Sequence, residues 1–151
     1  MKKDRDLQEI TESKNQLRLF GYDVHFKSFI KLFNNNKLPN TILLTGPKGS
    51  GKSTFIYHFI NYLLSLNESQ RYSVEDFSID PQNKTYLNIC NNTHPNFHLL
   101  ENNSNEEIIK IEYVKNILKF LSKSTYNSNI KIVMIDNAEY LNISSANALL
   151  K

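Results

Sequence analysis

Apolar and polar positions along the chain fall into runs of two different periods. Between 23 and 33, Val24, Phe26, Phe29, Ile30, Leu32 and Phe33 recur at helical spacing, which predicts a helix that Asn34-Asn35-Asn36 stops. After Pro39-Asn40, residues 41–45 read Thr-Ile-Leu-Leu-Thr, a short apolar run of the kind that forms a strand buried on both faces. A loop is expected over 46–51. From 52 to 66, Phe55, Ile56, Phe59, Ile60, Leu63 and Leu64 lay a wide apolar stripe along a second helix.

The second half repeats the alternation. Residues 67–92 are polar and rich in Asn and Ser, a long connection in which a short helix is expected near 74–77. A second strand is predicted over 96–100, a polar turn over 102–107, and a helix over 112–122 with Val114, Ile117, Leu118 and Leu121 on its face. Residues 130–135 are apolar apart from Lys131 and predict a third strand; Asn142 is placed to cap a last helix over 144–151. Strands alternating with helices imply an α/β domain with a mainly parallel sheet. Residues 1–16 are polar without periodicity, a lead-in expected to be frayed or loosely docked before a domain over 17–151.

Composition narrows the class without naming an activity. The 151 residues carry 18 Lys+Arg against 15 Asp+Glu, a net charge of +3, too small a surplus to argue for a nucleic-acid surface by itself. At 40% apolar and 22% charged, the chain reads as a soluble globular protein. The greasy stretch 55–66 is broken by His58 and Asn61 and is too short to span a bilayer. No apolar segment follows the charged start, so a cytoplasmic location without membrane contact is expected. Cys90 is the one cysteine, which excludes a disulfide framework.

The chemistry concentrates in one loop. Gly46-Pro47-Lys48-Gly49-Ser50-Gly51-Lys52-Ser53 matches G-x-x-x-x-G-K-[ST] at every fixed position, and three of the chain's 4 glycines lie in it. At ordinary residue frequencies a chain of this length matches by chance roughly one time in a hundred or less. Glycines let backbone N–H groups turn around the α- and β-phosphates at a positive helix end. Lys52 can reach the β/γ oxygens and Ser53 can ligate Mg²⁺, with Thr54 completing the expected nucleotide contacts. A nucleotide-bound Mg²⁺ wants a carboxylate at a neighbouring strand end, and Asp136 ends the apolar run 132–135. Many nucleotide hydrolases of this type place Glu next, whereas this chain has Asn137. An amide positions water but cannot take its proton, and a general base is worth about 10²–10⁴ in rate. Glu139, two residues on, is a weak substitute. ATP and Mg²⁺ are therefore expected to bind, with hydrolysis slow or absent.

These motifs resemble one family. Leu19-Phe20-Gly21-Tyr22, the phrase LPNTILLTGPKGSGKST, the pair THPNFHLLE and IKIEYVKNILKFLS, and KIVMIDNAEYLNISSANALLK are similar to the opening of bacterial DNA polymerase III clamp-loader subunits of the AAA+ class. The resemblance runs from about Arg18 onward. It implies a P-loop NTPase fold (AAA+/RecA-like), a parallel sheet flanked by helices. Within the family the delta-prime branch fits better than the gamma/tau motor branch. The motors keep the acidic pair that Asp136-Asn137 lacks, and they carry a four-cysteine zinc module. Here the matching stretch retains only Cys90, with His94 and His98 nearby. A closed structural zinc site needs four well-placed ligands, so none is expected.

The resemblance further implies a five-membered ring with gamma/tau and delta, and a role in opening the sliding clamp and releasing it on primed DNA. A gamma/tau-like active motor is the nearest alternative. A P-loop small-molecule kinase is a further one, but Arg5, Arg18 and Arg71 are too few and scattered to form its Arg-rich lid. A scaffold with a vestigial loop is the last. Lys115, Lys119 and Lys123 read as a solvated helix face. In the sheet order of the family, strand 41–45 is flanked by the fourth and fifth strands, both expected beyond Lys151. The chain therefore reads as an N-terminal fragment, expected to be marginally stable and inactive alone, with strand 41–45 short of its neighbours.

Overall fold

The computed structural model describes residues 11–101, 108–125 and 130–149. Over these residues the order is helix α1 (Asp23–Asn34), helix α2 (Lys52–Leu64), helix α3 (Lys84–Cys90), strand β1 (Phe97–Leu100), helix α4 (Ile111–Ser122), strand β2 (Ile132–Ile135) and helix α5 (Ile143–Leu149). Single 3₁₀ turns occupy Ser13–Asn15 and Ala138–Tyr140. The result is a mixed α/β chain whose two strands pair in parallel, Phe97 opposite Ile132 through Leu100 opposite Ile135. Parallel pairing requires a crossover, and α4 supplies it.

Helix α2 is buried around most of its circumference. Eight of its residues, Phe55, Tyr57, His58, Phe59, Ile60, Asn61, Tyr62 and Leu63, are buried, as expected of a helix clamped between two layers. One side joins α1 in an aromatic cluster centred on Phe26, which is fully buried. Phe26 meets Phe55, Phe59, Tyr62 and Phe77 edge-on and stacks on Tyr72 at 5.1 Å, geometries that aromatic quadrupoles favour. The opposite side packs Tyr57 and Ile60 on Ile89, Phe97 and Met134 of α3 and the sheet. A third cluster of Leu100, Ile109 and Ile117 seats α4 behind the strands.

Segment 41–45 departs from expectation. It forms no strand, and Leu43 is 75% exposed. Among the described residues β1 and β2 pair only with each other, so 41–45 has no ladder to join. Only Leu44 packs against the aromatic cluster. The helix expected near 74–77 is also absent. Ser73 and Ser78 exchange backbone hydrogen bonds of 3.0 and 3.1 Å around a tight loop, and Phe77 at its end takes a left-handed φ of 50°. That loop pairs with the segment before α1, where the Leu19 N–H donates to Phe77 O and the Ile79 N–H to Leu17 O.

The short helix of the long connection is instead α3, capped by Asn83, whose side chain accepts from the Tyr86 N–H. Residues 1–10 of the lead-in and the turn 102–107 lie outside the described residues. So do Leu150 and Lys151 of the expected last helix, of which Ile143–Leu149 is described. Its start is fastened twice: Asn142 Oδ1 accepts from the Ser145 N–H at 2.8 Å, and Ser145 Oγ donates to Ile109 O at 2.7 Å. No helix among the described residues is long and apolar enough to cross a membrane.

Candidate functional site

The glycine loop 46–51 lies exposed and runs directly into α2. Its turn depends on conformations that Cβ-bearing residues resist: Gly46 has φ 151° and Gly51, the residue before α2, has φ 83°. Space is limited as well, since a Cβ on Gly51 would sit 3.4 Å from Tyr22 Cε2. The first backbone bond of α2 runs from the Phe55 N–H to Gly51 O at 2.9 Å. The N–H groups of Lys52, Ser53 and Thr54 thus have no intrahelical acceptor, and they open the positive end of a 13-residue helix.

Lys52 folds back over the loop. Its Nζ donates to Gly46 O at 2.9 Å, to Pro47 O at 2.7 Å and to Ser50 Oγ at 3.4 Å. Lys48 sits at the exposed crest. Tyr22, just ahead of α1, donates its hydroxyl to Ser50 O at 2.5 Å, across 28 residues of chain.

Ser53 and Asp136, 83 residues apart, come together. Ser53 Oγ lies 3.2 Å from Asp136 Oδ1 and 3.4 Å from Oδ2. The reason is architectural: α2 crosses the sheet with its first turn at the carboxyl end of β2, where the Asp136 N–H donates to Leu100 O at 2.9 Å. Ligands of open α/β sheets collect at this edge. A hydroxyl and a carboxylate there are hard oxygen donors.

Asn137 adopts a left-handed conformation, φ 57° and ψ 56°, with its N–H donating to Asp136 Oδ1 at 3.1 Å. Asn tolerates this region better than most side chains. Glu139, on the 3₁₀ turn that follows, is exposed and makes no hydrogen bond to Lys52, Ser53 or Asp136. Cys90, His94 and His98 each turn to different neighbours. Cys90 Sγ lies 3.5 Å from Asn15 Oδ1, His94 Nδ1 accepts from the Asn96 N–H at 3.2 Å, and His98 packs at a tilt against Phe120 at 5.5 Å. Burial raises the Cys90 thiol pKa and lowers that of His94.

Behind the loop, His58 is fully buried on α2. Its Nε2 lies 3.1 Å from Gln16 O, so it carries the proton, and its Nδ1 accepts from Tyr72 OH at 3.0 Å. Burial pushes its pKa from 6.5 down to about 4, so the ring is neutral and tethers the segment before α1 to the helix that leaves the loop. Sequence reasoning missed Tyr22 and His58. His58 had a signal, as a polar residue on an otherwise apolar stripe, whereas the Tyr22 contact runs to a backbone oxygen 28 residues away.

The parallel β1-α4-β2 unit, with Asp136 at the end of β2, lies beside a glycine loop that opens the buried helix α2, and together they define a mixed α/β protein. The family model described as "DNA polymerase III, delta subunit" matches residues 22–151, and the chain belongs to that family. It is similar to DNA polymerase III subunit delta' of Pseudomonas aeruginosa, at 28% identity over 109 residues, covering 72% of this chain and 31% of that protein. A shorter stretch of 55 residues is 34% identical to origin recognition complex subunit 4 of Mus musculus, covering 34% of this chain and 13% of that protein. The chain therefore spans about a third of the length of the bacterial relative or less.

Proposed function

We propose that the chain acts as a delta-prime-type clamp-loader subunit, an AAA+ P-loop protein that binds ATP with Mg²⁺ and hydrolyses it slowly or not at all. The observation that carries the reading is the meeting of Ser53 Oγ and Asp136 Oδ1 at 3.2 Å, at the helix that the glycine loop opens. Hydroxyl, carboxylate, lysine and unpaired N–H groups are the donor set that a magnesium nucleotide requires. Gly46, Pro47, Lys48, Gly49, Ser50 and Gly51 would wrap the phosphates, Lys52 would leave its loop carbonyls for phosphate oxygens, and Ser53 and Asp136 would hold the metal, with Thr54 adding a contact. Bound Mg²⁺ supplies charge neutralisation at the phosphates.

Slow turnover follows from two features of this chain. Asn137 has no proton-accepting group, and its left-handed backbone turns the residue after Asp136 away from the course of a continuing strand. Exposed Glu139 makes no hydrogen bond to Ser53 or Asp136. Partners follow from the similarity to subunit delta': gamma/tau and delta subunits in a five-membered loader, the sliding clamp, and primed DNA reached through that assembly.

The test is equilibrium binding of a non-hydrolysable ATP analogue with Mg²⁺, by calorimetry, to wild type and to Lys52→Ala. Binding that falls at least tenfold in the variant supports the reading. No binding by wild type at millimolar analogue refutes it in favour of a vestigial loop. Brisk, DNA-stimulated hydrolysis lost on Lys52→Ala would instead make the chain a motor.

A further inference from the structure

We propose that Tyr22 is a positioning residue for the glycine loop, fixing the direction of the Gly51 N–H toward bound phosphate; the inference rests on the nucleotide reading above. The Tyr22 hydroxyl donates to Ser50 O at 2.5 Å. A trans peptide is planar, with its C=O and N–H on opposite sides. Holding the Ser50 carbonyl toward Tyr22 therefore points the N–H of the next residue, Gly51, to the far side. Gly51 is also the residue whose φ of 83° sets the turn into α2, so one hydrogen bond orients the peptide on which the loop pivots.

Tyr22 is well placed for the task. Its ring packs on Phe55 at 5.2 Å and on His25 at 6.0 Å, and its carbonyl accepts the Phe26 N–H at 2.8 Å at the head of α1. The phenol thus stands on the aromatic cluster shared by α1 and α2. Among the described residues, every other hydrogen bond to 46–51 comes from within the loop and the first turn of α2: Ser50 N–H to Pro47 O at 3.3 Å, Phe55 N–H to Gly51 O at 2.9 Å, and the three from Lys52. When Lys52 exchanges those carbonyls for a phosphate, Tyr22 is the external tether that stays.

The test compares wild type with Tyr22→Phe, which keeps the ring contacts and removes only the hydroxyl. Two ligands are titrated by calorimetry with Mg²⁺: an ATP analogue, and tripolyphosphate, which has no base or ribose. Amide hydrogen exchange of 46–51 is followed in the free protein. The expected result is a loss of about two- to tenfold in affinity, equal for the two ligands, as for one neutral hydrogen bond. Faster exchange in 46–51 should accompany unchanged exchange in α1 and α2. Equal binding by variant and wild type overturns the role of Tyr22 and leaves the nucleotide reading intact. A rise in exchange throughout α1 and α2 also overturns it, because Tyr22 would then be a fold residue alone. Wild type that binds neither ligand removes the nucleotide reading itself, and with it any positioning role, whatever the loop exchange does.

Discussion

Acidification should unfold this chain through His58. The ring is fully buried and wedged between Tyr72 OH and Gln16 O, and its pKa is pushed from 6.5 down to about 4. At about 1.4 kcal/mol per pH unit, protonating it in the folded chain is harder than in the unfolded chain by about 3 kcal/mol. The unfolded chain binds the extra proton, so stability rises with pH across this window: it is whole above 6.5, falls on acidification, and levels off near 4. For a domain of this size, a loss of about 3 kcal/mol lowers the melting temperature by roughly 10 °C. Burial lowers the His94 pKa too, which adds in the same direction. The assay is thermal melting by circular dichroism at half-unit steps from pH 7.5 to 4 for wild type and His58→Gln. The variant should be less stable at pH 7.5, having lost both hydrogen bonds, and flatter with pH. Parallel curves for the two proteins would refute the reasoning, as would wild type growing more stable below pH 6.

The other perturbations probe the core and the strand end. Phe26→Ala removes the ring on which five other aromatic residues converge and should cost about 3–5 kcal/mol in urea unfolding; a loss under about 1 kcal/mol would mean the cluster collapses freely around the gap. Asp136→Asn keeps an acceptor for Ser53 Oγ but removes the charge, so magnesium-dependent nucleotide affinity should fall about tenfold or more, while magnesium-free affinity holds. An equal loss with and without the metal would argue against Asp136 as its ligand.

Most of the helices were readable because their apolar residues keep a period that only one packing satisfies. The stripe from Val24 to Phe33 and the face of Val114 and Ile117 became α1 and α4 within a residue or two, and the glycine loop followed from spacing alone. Residues 41–45 were misread because an apolar run specifies the wish for a sheet, not the presence of a neighbour. The tight loop at Ser73–Ser78 rests on a left-handed Phe77, a conformation no propensity foresees. Helix α3 did have a signal, since Asn83 stands three residues before Tyr86 whose N–H it caps, but seven residues leave little periodicity to detect. The Tyr22 tether joins residues 28 apart through a backbone oxygen, and main-chain acceptors carry no sequence mark.

The left-handed bend at Asn137 bears on how this protein could change. Placing an acidic residue there is a single substitution on paper, yet Glu would enter a backbone conformation that penalises ordinary L side chains by about 1 kcal/mol or more. A mutant seeking a proton acceptor would first have to straighten the chain after Asp136, which means moving the 3₁₀ turn Ala138–Tyr140 and the Tyr140 O that accepts the Ile109 N–H at 2.8 Å. That oxygen fixes the chain leading into α4. Gaining a proton acceptor at 137 thus asks for coordinated changes in the turn that follows, a barrier in genotype space set by two dihedral angles.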